Sequence, residues 1–468
     1  MRIIIIFLSV ISCQNIAEKK KPNIILIMTD DQGWGQTGYY KHPVLDTPNL
    51  DQMVKNGLRF DRFYAASPVC SPTRATVLTA RTNDRTGVFS WGYALRRQEK
   101  TLASALQKVG YSTGHFGKWH LNGLSGPGVP IFKDDSHHPG VFGFDHWLSV
   151  SNFFDINPLM SENGSFVDLK GSSSEIIVKK ALEFIEEKSN QNLPFFTVIW
   201  DGSPHIPFMA SEKDRNKFQN LDKRSQLHYG ELAAFDRSIG ILREQLRKLD
   251  LAENTIIWYC SDNGGLTEIY PETVGGLKGS KNTIWEGGLR VPAIIEWPSV
   301  IKPRITSYPA STMDIFPTIA EIVGLSEADF IKPIDGISIK SIFDNDIKKR
   351  HNKIPFRYKD QGALLDNNFK LIATSIKKNK FELYNLKTDP REKQNLATEN
   401  TILFEEMRSE FLHWNQSVDS SMSGRDYPER KVLKNPESHY WNKDNRYEPF
   451  FQEWIKRPEY REQILRVR

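Results

Sequence analysis

Long apolar runs recur along the chain, each bounded by polar residues. They cover residues 23–29, 194–200, 255–260 and 291–297. A continuous apolar run of this length is typical of a strand that is buried on both faces, as in a parallel sheet covered by helices. The pattern therefore predicts four buried strands of one α/β sheet.

Stretches with helical periodicity lie between these runs. Thr101 caps a run that ends at Gly110, and helical spacing is found again over residues 175–188 and 225–249. Alternating strands and helices indicate an α/β fold with helices on both faces of the sheet. In such sheets functional residues lie at the carboxyl ends of the strands. Polar residues follow the apolar runs at Asp30-Asp31, at 201–205 and at 261–264.

The pattern changes in the last quarter of the chain. Two short runs, 369–374 and 380–386, predict a β-hairpin, and residues 401–414 have helical spacing. The remaining tail is rich in Pro, Tyr, Trp and charge. We therefore expect a large domain over residues 22–347 and a small α+β subdomain with an irregular tail over residues 348–468.

The N-terminus carries an apolar run of another kind. Arg2 precedes residues 3–11, which are apolar except for Ser9 and are too few to span a bilayer as a helix. Such a run is typical of the apolar core of a secretory signal. Cys13 follows it as the lipidated cysteine follows a bacterial lipoprotein signal, and cleavage of an ordinary signal nearby is the alternative. We therefore expect residues 1–21 to form a leader and linker of an exported protein, either periplasmic or a membrane-anchored lipoprotein, with the cell surface as a further location.

Charge and cysteine content narrow the class of protein. Lys and Arg number 62 against 57 Asp and Glu, a net charge of +5 over 468 residues. Apart from residues 19–21 there is no dense basic run, which argues against a nucleic-acid partner. Once Cys13 is lipidated or removed, Cys70 and Cys260 are the only possible disulfide pair. An unbridged cysteine in an exported protein needs a separate explanation.

Two of the predicted strand ends carry oxygen ligands. Asp30 and Asp31 follow the first buried strand, and Asp262 and Asn263 follow the third. Taken singly, these residues suit a helix cap and an Asx turn. Together they place three carboxylates and an amide oxygen at one sheet edge, where the carboxylates repel unless a cation neutralises them. Such hard oxygen donors suit Ca²⁺ or Mg²⁺ and not zinc.

The segment around Cys70 carries the most specific motif. Pro72 suits the first turn of a helix through Ala80, which places Cys70 at the positive end of that helix. A buried structural cysteine before a helix is the simpler interpretation. The segment resembles the signature of the type I sulfatase family, Cys-x-Pro-x-Arg followed by Leu-Thr-Gly-Arg, and here these positions are Cys70, Pro72, Arg74 and Leu78-Thr79-Ala80-Arg81.

Further motifs resemble this family in the same order along the chain. Each motif taken alone has an ordinary structural explanation. Such explanations do not account for the occurrence of all the motifs in the order of the family. The similarity runs from Asn23 to about Ala397, and Ala80 and Asn282 stand where the family more often has Gly. The further motifs are Gly117-Lys118-Trp119-His120, Ser203-Pro204-His205-Ile206-Pro207, Ser261-Asp262-Asn263-Gly264, Lys281-Asn282-Thr283 to Glu286-Gly287-Gly288-Leu289-Arg290, and Phe381-Glu382-Leu383-Tyr384 to Asn395-Leu396-Ala397.

The resemblance implies a fold and a modified residue. The fold is that of the alkaline-phosphatase-like superfamily, a large mixed α/β sheet flanked by helices with a smaller C-terminal α+β subdomain. In this family the cysteine of the signature is oxidised to formylglycine by a maturation enzyme, which would explain the unbridged Cys70. The implied cofactor is one Ca²⁺, with Mg²⁺ as the alternative, bound by Asp30, Asp31, residue 70, Asp262 and Asn263.

The resemblance also implies how sulfate monoesters are hydrolysed. Hydrated formylglycine attacks sulfur, and Arg74 and the metal favour its ionised oxygen. Lys118 and Lys281 bind the sulfate oxygens, His205 protonates the departing sugar oxygen, and His120 removes the proton that allows sulfate to leave. Lys281 is preferred to Lys278 because it stands five positions before the Glu of Glu-Gly-Gly, as in the family.

The resemblance defines the reaction better than the substrate. The lipoprotein-like leader indicates a bacterium that handles sulfated polysaccharide, so we expect an algal polysaccharide or its oligosaccharides, such as ulvan, carrageenan or fucoidan, with host glycosaminoglycans also open. His137-His138 and Arg96-Arg97 would meet a uronate carboxylate or form a solvated loop. The alternatives are a formylglycine-dependent phosphoester hydrolase and a glycan-binding protein whose Cys70 is unmodified.

Overall fold

The computed structural model describes residues 20–466. Most of the predicted leader, including Cys13, lies outside the described residues. Within residues 20–466, no helix has the length and apolar character needed to span a membrane.

The described residues form seventeen strands. In chain order they are β1 (Asn23–Thr29), β2 (Leu58–Tyr64), β3 (Ser112–Lys118), β4 (Leu124–Ser125), β5 (His146–Val150), β6 (Leu159–Glu162), β7 (Ser165–Asp168), β8 (Phe195–Trp200), β9 (Thr255–Ser261), β10 (Arg290–Glu296), β11 (Arg304–Thr306), β12 (Ala310–Ser311), β13 (Ile354–Tyr358), β14 (Gln361–Asp366), β15 (Phe369–Ser375), β16 (Lys380–Asn385) and β17 (His439–Tyr440).

The same residues form eleven α-helices. They are α1 (Pro48–Asn56), α2 (Cys70–Thr79), α3 (Leu102–Lys108), α4 (Ser173–Asn190), α5 (Glu212–Arg215), α6 (Lys223–Lys248), α7 (Glu286–Leu289), α8 (Ile315–Val323), α9 (Thr401–Met422), α10 (Phe451–Trp454) and α11 (Pro458–Leu465).

Eleven strands form one large mixed sheet. Its order is β11-β2-β10-β9-β1-β8-β3-β5-β6-β7, with β12 beside β2. The central strands β9, β1, β8, β3 and β5 are parallel, and Leu26 of β1 lies between Trp258 and Val198. The strand predicted at 291–297 is β10, which runs antiparallel to both neighbours and makes the sheet mixed, as the family resemblance implied. A fully buried apolar run shows that both faces are covered and does not encode strand direction.

The central strand β1 shows how the two faces are filled. Its residues alternate between two cores, with Ile24, Leu26 and Met28 in one and Ile25 and Ile27 in the other. Helices α2, α3 and α8 supply the first core, and α1, α4 and α6 supply the second. Burial of each such side chain contributes about 1.5–3 kcal/mol, so a sheet covered on both faces is well stabilised.

The predicted helices form where their caps and periodicity place them. Thr101 accepts a hydrogen bond from the backbone N–H of Ser104 (3.2 Å) at the start of α3, in a capping box. Asp222 accepts hydrogen bonds from the N–H groups of Arg224 and Ser225 at the start of α6. The helices predicted at 175–188 and 225–249 are α4 and α6. Both begin two residues earlier than predicted, and α4 ends two residues later whereas α6 ends one residue earlier.

The predicted hairpin is part of a second, antiparallel sheet. Strands β13, β14, β15 and β16 pair in chain order, and α9 packs on them. The predicted fold class is therefore confirmed: a large mixed α/β sheet flanked by helices, with a smaller C-terminal α+β subdomain.

The tail returns to the large domain, where it forms a separate two-stranded sheet. The strand β17 pairs in parallel with β4, where His439 lies opposite Leu124. The hydroxyls of Tyr447 and Tyr460 each donate a hydrogen bond to a backbone carbonyl beyond β4, both at 2.8 Å. An apolar cluster buries the contact between the tail and residues 124–132. Its buried members are Leu124, Val129, Trp441, Tyr447, Phe451, Trp454, Tyr460 and Ile464.

Candidate active site

The carboxyl edge of the large sheet brings the predicted site residues together. Asp30 and Asp31 follow β1, Asp262 and Asn263 follow β9, and Lys118 ends β3. Three further residues reach the same edge from the start of α2, from the segment after β8 and from the loop before α7. They are Cys70, His205 and Lys281.

Asp30 is fully buried and lies between two cations. The Lys118 Nζ donates a hydrogen bond to Asp30 Oδ2, and the Arg74 guanidinium is 3.7 Å from the same oxygen. Burial acts to raise the pKa of Asp30, but Lys118, His205 and Arg74 outweigh it and hold the pKa well below its usual value. Asp30 is therefore a carboxylate at any physiological pH.

Asp31 has the backbone conformation of a tight turn. Its φ is 68°, in the left-handed region that few non-glycine residues occupy. This turn directs the carboxylate towards Lys281, whose Nζ is 2.6 Å from Oδ1, and towards the Asn263 amide, which donates to Oδ1 at 2.8 Å. The Asp31 N–H donates to Asp262 Oδ1 at 3.2 Å, which links the ends of β1 and β9.

Arg74 forms a buried ion pair with Asp262. Its guanidinium donates to Asp262 Oδ2 at 2.8 Å and lies 5.0 Å over the Trp200 ring. Burial and the neighbouring Asp30 raise the pKa of Asp262 to about 7, although Arg74 and Lys118 act against them. The Asp262 carboxyl is therefore poorly compensated by the protein alone.

Two buried oxygens of this cluster have no hydrogen-bond donor. They are Asp30 Oδ1 and Asn263 Oδ1, and both belong to the predicted metal ligands. Ligand atoms of Asp30, Cys70 and Asp262 all lie within 4.8 Å of one another, as do those of Asp30, Asp31 and His205. Unsatisfied carboxylate and amide oxygens around one point are the donor set that Ca²⁺ prefers. The residues present therefore fit a hard divalent cation.

Cys70 is the first residue of α2 and is 2% exposed. Burial raises the pKa of its thiol above the usual value, although Lys118 and Lys281 oppose that effect. Both Cys70 and Cys260 are free thiols, so the described chain contains no disulfide between them. An unmodified Cys70 is thus a protonated, weakly nucleophilic group at the positive end of a helix.

His120 is buried without any hydrogen-bond partner on either ring nitrogen. Its φ of 54° directs the ring away from the strand path of β3 and towards the cavity. Burial, followed by the charges of Lys118 and Arg74, holds the pKa of His120 well below its usual value. The ring is therefore neutral and able to accept a proton.

His205 lies opposite His120 and is fixed by stacking. Its ring is parallel to that of Phe153, with centroids 4.8 Å apart, and its Nδ1 is 2.6 Å from the Ile206 carbonyl. Nδ1 therefore carries the proton, and Nε2 lies 3.9 Å from Asp31 Oδ2. Burial and Lys281 lower the pKa of His205 to about 4.

The loop that carries Lys281 is held by close backbone contacts. The Lys281 N–H donates to the Gly265 carbonyl at 3.0 Å, and the Asn282 N–H donates to the Pro68 carbonyl at 2.9 Å, just before Cys70. A Cβ atom on Gly264 would lie 1.8 Å from the Gly287 carbonyl, so only glycine allows this packing.

The two departures from the family signature share one geometry. Ala80 has a φ of 61° and Asn282 a φ of 71°. Both values lie in the left-handed region, which glycine occupies without cost and asparagine occupies more readily than alanine. The family preference for glycine at these positions is thus explained by the backbone, and Asn282 is the milder replacement.

A cavity of about 310 Å³ opens above Cys70. Its walls include the predicted site residues Cys70, His120, His205 and Lys281. Other wall residues were not predicted as site residues, although Asn282 belongs to a motif named above, because loops and the tail bring them to the cavity. They are Trp91, Gly126, Asn152, Phe153, Asn282 and Tyr440.

Lys278 lies outside this cavity. Its Nζ donates to the Glu392 carbonyl at 3.0 Å and is 3.4 Å from the centre of the Trp285 ring. Lys281 Nζ instead contacts Asp31 and lines the cavity. The structure therefore brings Lys281, and not Lys278, to the other site residues.

The pairs considered for a uronate are also placed elsewhere. The Arg96 guanidinium donates to the carbonyls of Arg85 and Met422, and it is buried. His137 is buried against Asn435. His138 caps a short helix, Arg97 is exposed, and none of these four residues lines the cavity above Cys70. These pairs therefore do not line the cavity above Cys70, whereas Arg96 lines a neighbouring cavity.

Comparisons with known proteins agree with this arrangement. The model of the sulfatase family matches residues 22–325, and a model of the C-terminal region of N-sulphoglucosamine sulphohydrolase matches residues 279–416. Human N-acetylgalactosamine-6-sulfatase is 31% identical over 352 residues, which cover 68% of this chain and 65% of its own length. Dog arylsulfatase G is 32% identical over 356 residues, which cover 66% of this chain and 65% of its own length.

The chain thus spans about 65% of the length of these curated relatives. A solved structure of Ps i-CgsB is similar over a larger share, 93% of this chain and 98% of its own, with a TM-score of 0.74 and 25% identity. That protein has also been solved in complex with k-i-k-neocarrahexaose. The match of the family model to most of the chain, at the sheet edge described above, shows that this protein belongs to the sulfatase family.

Proposed function

We propose that the protein hydrolyses sulfate monoesters on a sulfated carbohydrate. The observation that carries the proposal is the floor of the cavity, where Cys70 begins a helix beside Lys118 and Lys281 and above a cluster of unsatisfied oxygen ligands. A sulfate monoester resists attack because its peripheral oxygens are negative. Fixed cations in a site with little water are the means of stabilising the charge that develops in hydrolysis.

We propose that Cys70 is oxidised to formylglycine by a maturation enzyme, because the Cys-x-Pro-x-Arg motif is intact and the free thiol is otherwise unexplained. Hydrated formylglycine would supply a nucleophilic oxygen and a second hydroxyl, whose loss of a proton releases sulfate and restores the aldehyde. A bound Ca²⁺ would supply positive charge at that oxygen. Asp30, Asp31, Asp262 and Asn263 would hold the ion.

The two lysines would bind the sulfate group. Each Nζ contacts one carboxylate of the cluster, Lys118 on Asp30 and Lys281 on Asp31, so each is fixed in position before substrate arrives. An ammonium that is already fixed does not have to be reorganised during the reaction. Arg74 lies below them on Asp262, where it compensates the buried carboxylates.

The two histidines would move protons at opposite stages. His120, neutral and without a hydrogen-bond partner, would take the proton from the second hydroxyl. His205 would protonate the departing sugar oxygen from Nε2. That nitrogen must be charged before it can act, and an anionic sulfate bound at Lys281 and Lys118 would raise the pKa of His205 from about 4.

We propose an algal polysaccharide or its oligosaccharides, of the ulvan, carrageenan or fucoidan type, as the substrate. Support comes from the likeness to Ps i-CgsB, which covers 93% of this chain and includes a structure with k-i-k-neocarrahexaose. The relatives named for N-acetylgalactosamine 6-sulfate keep glycosaminoglycans as a second group to test.

We propose further that the protein is exported, with Cys13 lipidated or the leader cleaved close to it. The apolar run over residues 3–11 supports this proposal. Mass spectrometry of the N-terminal peptide of protein made in a bacterium with its own secretion machinery tests it. An N-terminus at Met1 with free Cys13 would contradict it.

One experiment tests the proposed reaction. Mass spectrometry of the peptide that contains residue 70 should show formylglycine, and turnover of 4-nitrophenyl sulfate should exceed that of 4-nitrophenyl phosphate by at least 100-fold. Faster turnover of the phosphate would favour a phosphoester hydrolase instead. Protein that carries formylglycine, binds sulfated glycan and turns over neither ester would contradict hydrolysis altogether.

A further inference from the structure

A second cavity lies beside the one above Cys70. It has a volume of about 480 Å³, within the usual size of binding sites for small ligands. Its walls come from two segments, 87–96 and 432–438, and they include Arg96, one of the residues considered for a uronate, but none of the predicted catalytic or metal-binding residues. The wall residues that carry the argument are Phe89, Tyr93, Leu433, Pro436 and Ser438.

The two cavities are lined by different residues of the same two segments. Trp91 lines the first cavity, and its sequence neighbours Phe89 and Tyr93 line the second. In the same way Tyr440 lines the first cavity and Ser438 lines the second. Because the same two segments contribute to both cavities, we call them together the extended groove and define it by residues 87–96 and 432–440.

The walls of the extended groove are fixed to the site. The Gly92 N–H donates to Ser71 Oγ at 3.0 Å, next to Cys70. A Cβ atom on Gly92 would lie 2.2 Å from Ser125 Oγ, and Ser125 Oγ is 3.3 Å from Ser438 Oγ. Both walls thus meet at β4, so a ligand in the second part of the groove would keep a defined position relative to Cys70.

Exposed aromatic side chains concentrate in this groove. Of the four exposed aromatic residues that the structure describes, Trp91, Tyr93 and Tyr440 lie here, with exposures of 45%, 37% and 40%. Phe89 packs edge-on against Tyr93, with ring centroids 5.6 Å apart. A sugar ring presents polarised C–H groups on one face, and a flat aromatic side chain with a polar tip suits that face.

The charge around the groove suits an anionic ligand. Arg97, Lys431 and Lys434 are exposed, and none of them has a carboxylate within ion-pair distance among the described residues. Glu437 is the acidic residue in the wall. These three cations are sequence neighbours of wall residues and do not themselves line the cavity. Positive charge next to the walls suits a saccharide that carries more than one sulfate.

We propose that the extended groove binds at least two consecutive sugars of a sulfated saccharide. The sugar that carries the reacting sulfate lies above Cys70, and its neighbour lies on Phe89 and Tyr93. This proposal rests on the proposed function and deepens it, because it makes an oligosaccharide or polymer, rather than a single sulfated sugar, the preferred ligand.

The test measures binding to Cys70→Ala protein, which cannot turn over its ligand. Calorimetric titration first selects, from hexasaccharides of κ-carrageenan, ulvan, fucoidan and chondroitin 6-sulfate, the one bound most tightly. We expect it to bind at least tenfold more tightly than the disaccharide of the same series. A second substitution, Tyr93→Ala, should weaken hexasaccharide binding about 5- to 10-fold, and Tyr93→Phe should restore most of it.

Tyr270→Ala is the matched control, because Tyr270 is 68% exposed and lines neither part of the groove. Equal affinity for hexasaccharide and disaccharide would overturn the proposal, as would a Tyr93→Ala effect no larger than that of Tyr270→Ala or binding of no hexasaccharide at all. The proposed function fails differently: it fails if wild-type protein hydrolyses no sulfate ester, whatever the groove binds.

Discussion

Two clusters of buried charged side chains in this protein differ in how completely their oxygens are hydrogen-bonded. In the site cluster, Asp30 and Asn263 each keep an oxygen without a donor. In the second cluster, which joins the large domain to the small sheet, every carboxylate oxygen of Glu286 and Glu392 has a donor. Complete pairing characterises a structural cluster, and leftover acceptors mark a place where a ligand completes the coordination.

The second cluster is centred on Lys370. Its Nζ donates to Glu286 and to Glu392, both at 2.9 Å, and the Glu286 N–H donates to Glu392 at 2.8 Å. Lys278 belongs to this cluster through the Glu392 carbonyl, whereas Lys281 belongs to the site. Two lysines three positions apart thus belong to different clusters. We expect substitutions in the site cluster to change activity and substitutions in the second cluster to change stability.

The largest effect is expected from Cys70→Ala. Turnover should fall to background, because no other residue of the cavity offers the proposed nucleophile. The melting temperature should stay within about two degrees, since the substitution removes one sulfur from a cavity wall. Enzyme assay and calorimetry on the same preparation measure both. Residual turnover above one per cent of wild type would mean that residue 70 is not the nucleophile.

The second effect is on stability and comes from Lys370→Met. It leaves Glu286 and Glu392 buried together without their cation, which should lower the free energy of unfolding by about 3–5 kcal/mol. Denaturant unfolding measures it. Lys248→Ala, which breaks an exposed pair with Glu244, is the control and should leave the free energy of unfolding nearly unchanged. A loss from Lys370→Met as small as that of the control would show that the second cluster does not hold the fold.

The third effect separates the two lysines. Lys281→Ala should lower kcat on the order of 10²- to 10³-fold, because it removes a fixed cation from the sulfate oxygens. Lys278→Ala should change kcat by less than tenfold, since that lysine packs on Trp285 outside the cavity. Steady-state kinetics with an aryl sulfate measure both. The reverse order would transfer the catalytic assignment to Lys278.

The smallest effect concerns the metal and pH. Burial and Asp30 raise the pKa of Asp262 to about 7, so without metal the folded state gains stability from this proton at low pH and loses it as pH rises to about 7. Ca²⁺ needs the ionised carboxylate, so its stabilisation should grow through the same range and approach about 2.7 kcal/mol at 100 times Kd.

Melting temperatures of chelated and Ca²⁺-loaded protein at pH 5.5 and pH 8.0 measure this dependence. The gain from Ca²⁺ should be larger at pH 8.0 in wild type and absent in Asp262→Ala. An equal gain at both pH values in wild type would place the ion elsewhere.

Much of this arrangement was predictable because local patterns encode it. The apolar runs of β1, β8 and β9 indicated a buried sheet. The resemblance to the sulfatase motif, in which the lysine stands five positions before the Glu, identified Lys281 as the lysine that lines the cavity. The direction of β10 was not predictable, since an apolar run is the same in either direction.

The residues that form the walls of the cavity could not be predicted from the sequence either. Trp91 and Tyr440 are almost 350 positions apart, and their meeting depends on the pairing of β4 and β17, which are two residues long. So short a pairing leaves no periodic pattern. The placement of Arg96 was hidden for a related reason, because a buried guanidinium bound to carbonyl groups has the same sequence signature as an exposed one.

The pairing of β17 with β4 also determines when the wall of the cavity can form during synthesis of the chain. His439 lies opposite Leu124, so this wall cannot form until nearly the whole chain has left the ribosome. Cys70, which is buried in the folded protein, belongs to the first sixth of the chain. During most of translation the chain around it therefore lacks the wall that β17 contributes. The proposed oxidation of Cys70 would therefore have its longest opportunity on the growing chain, before the tail covers the site.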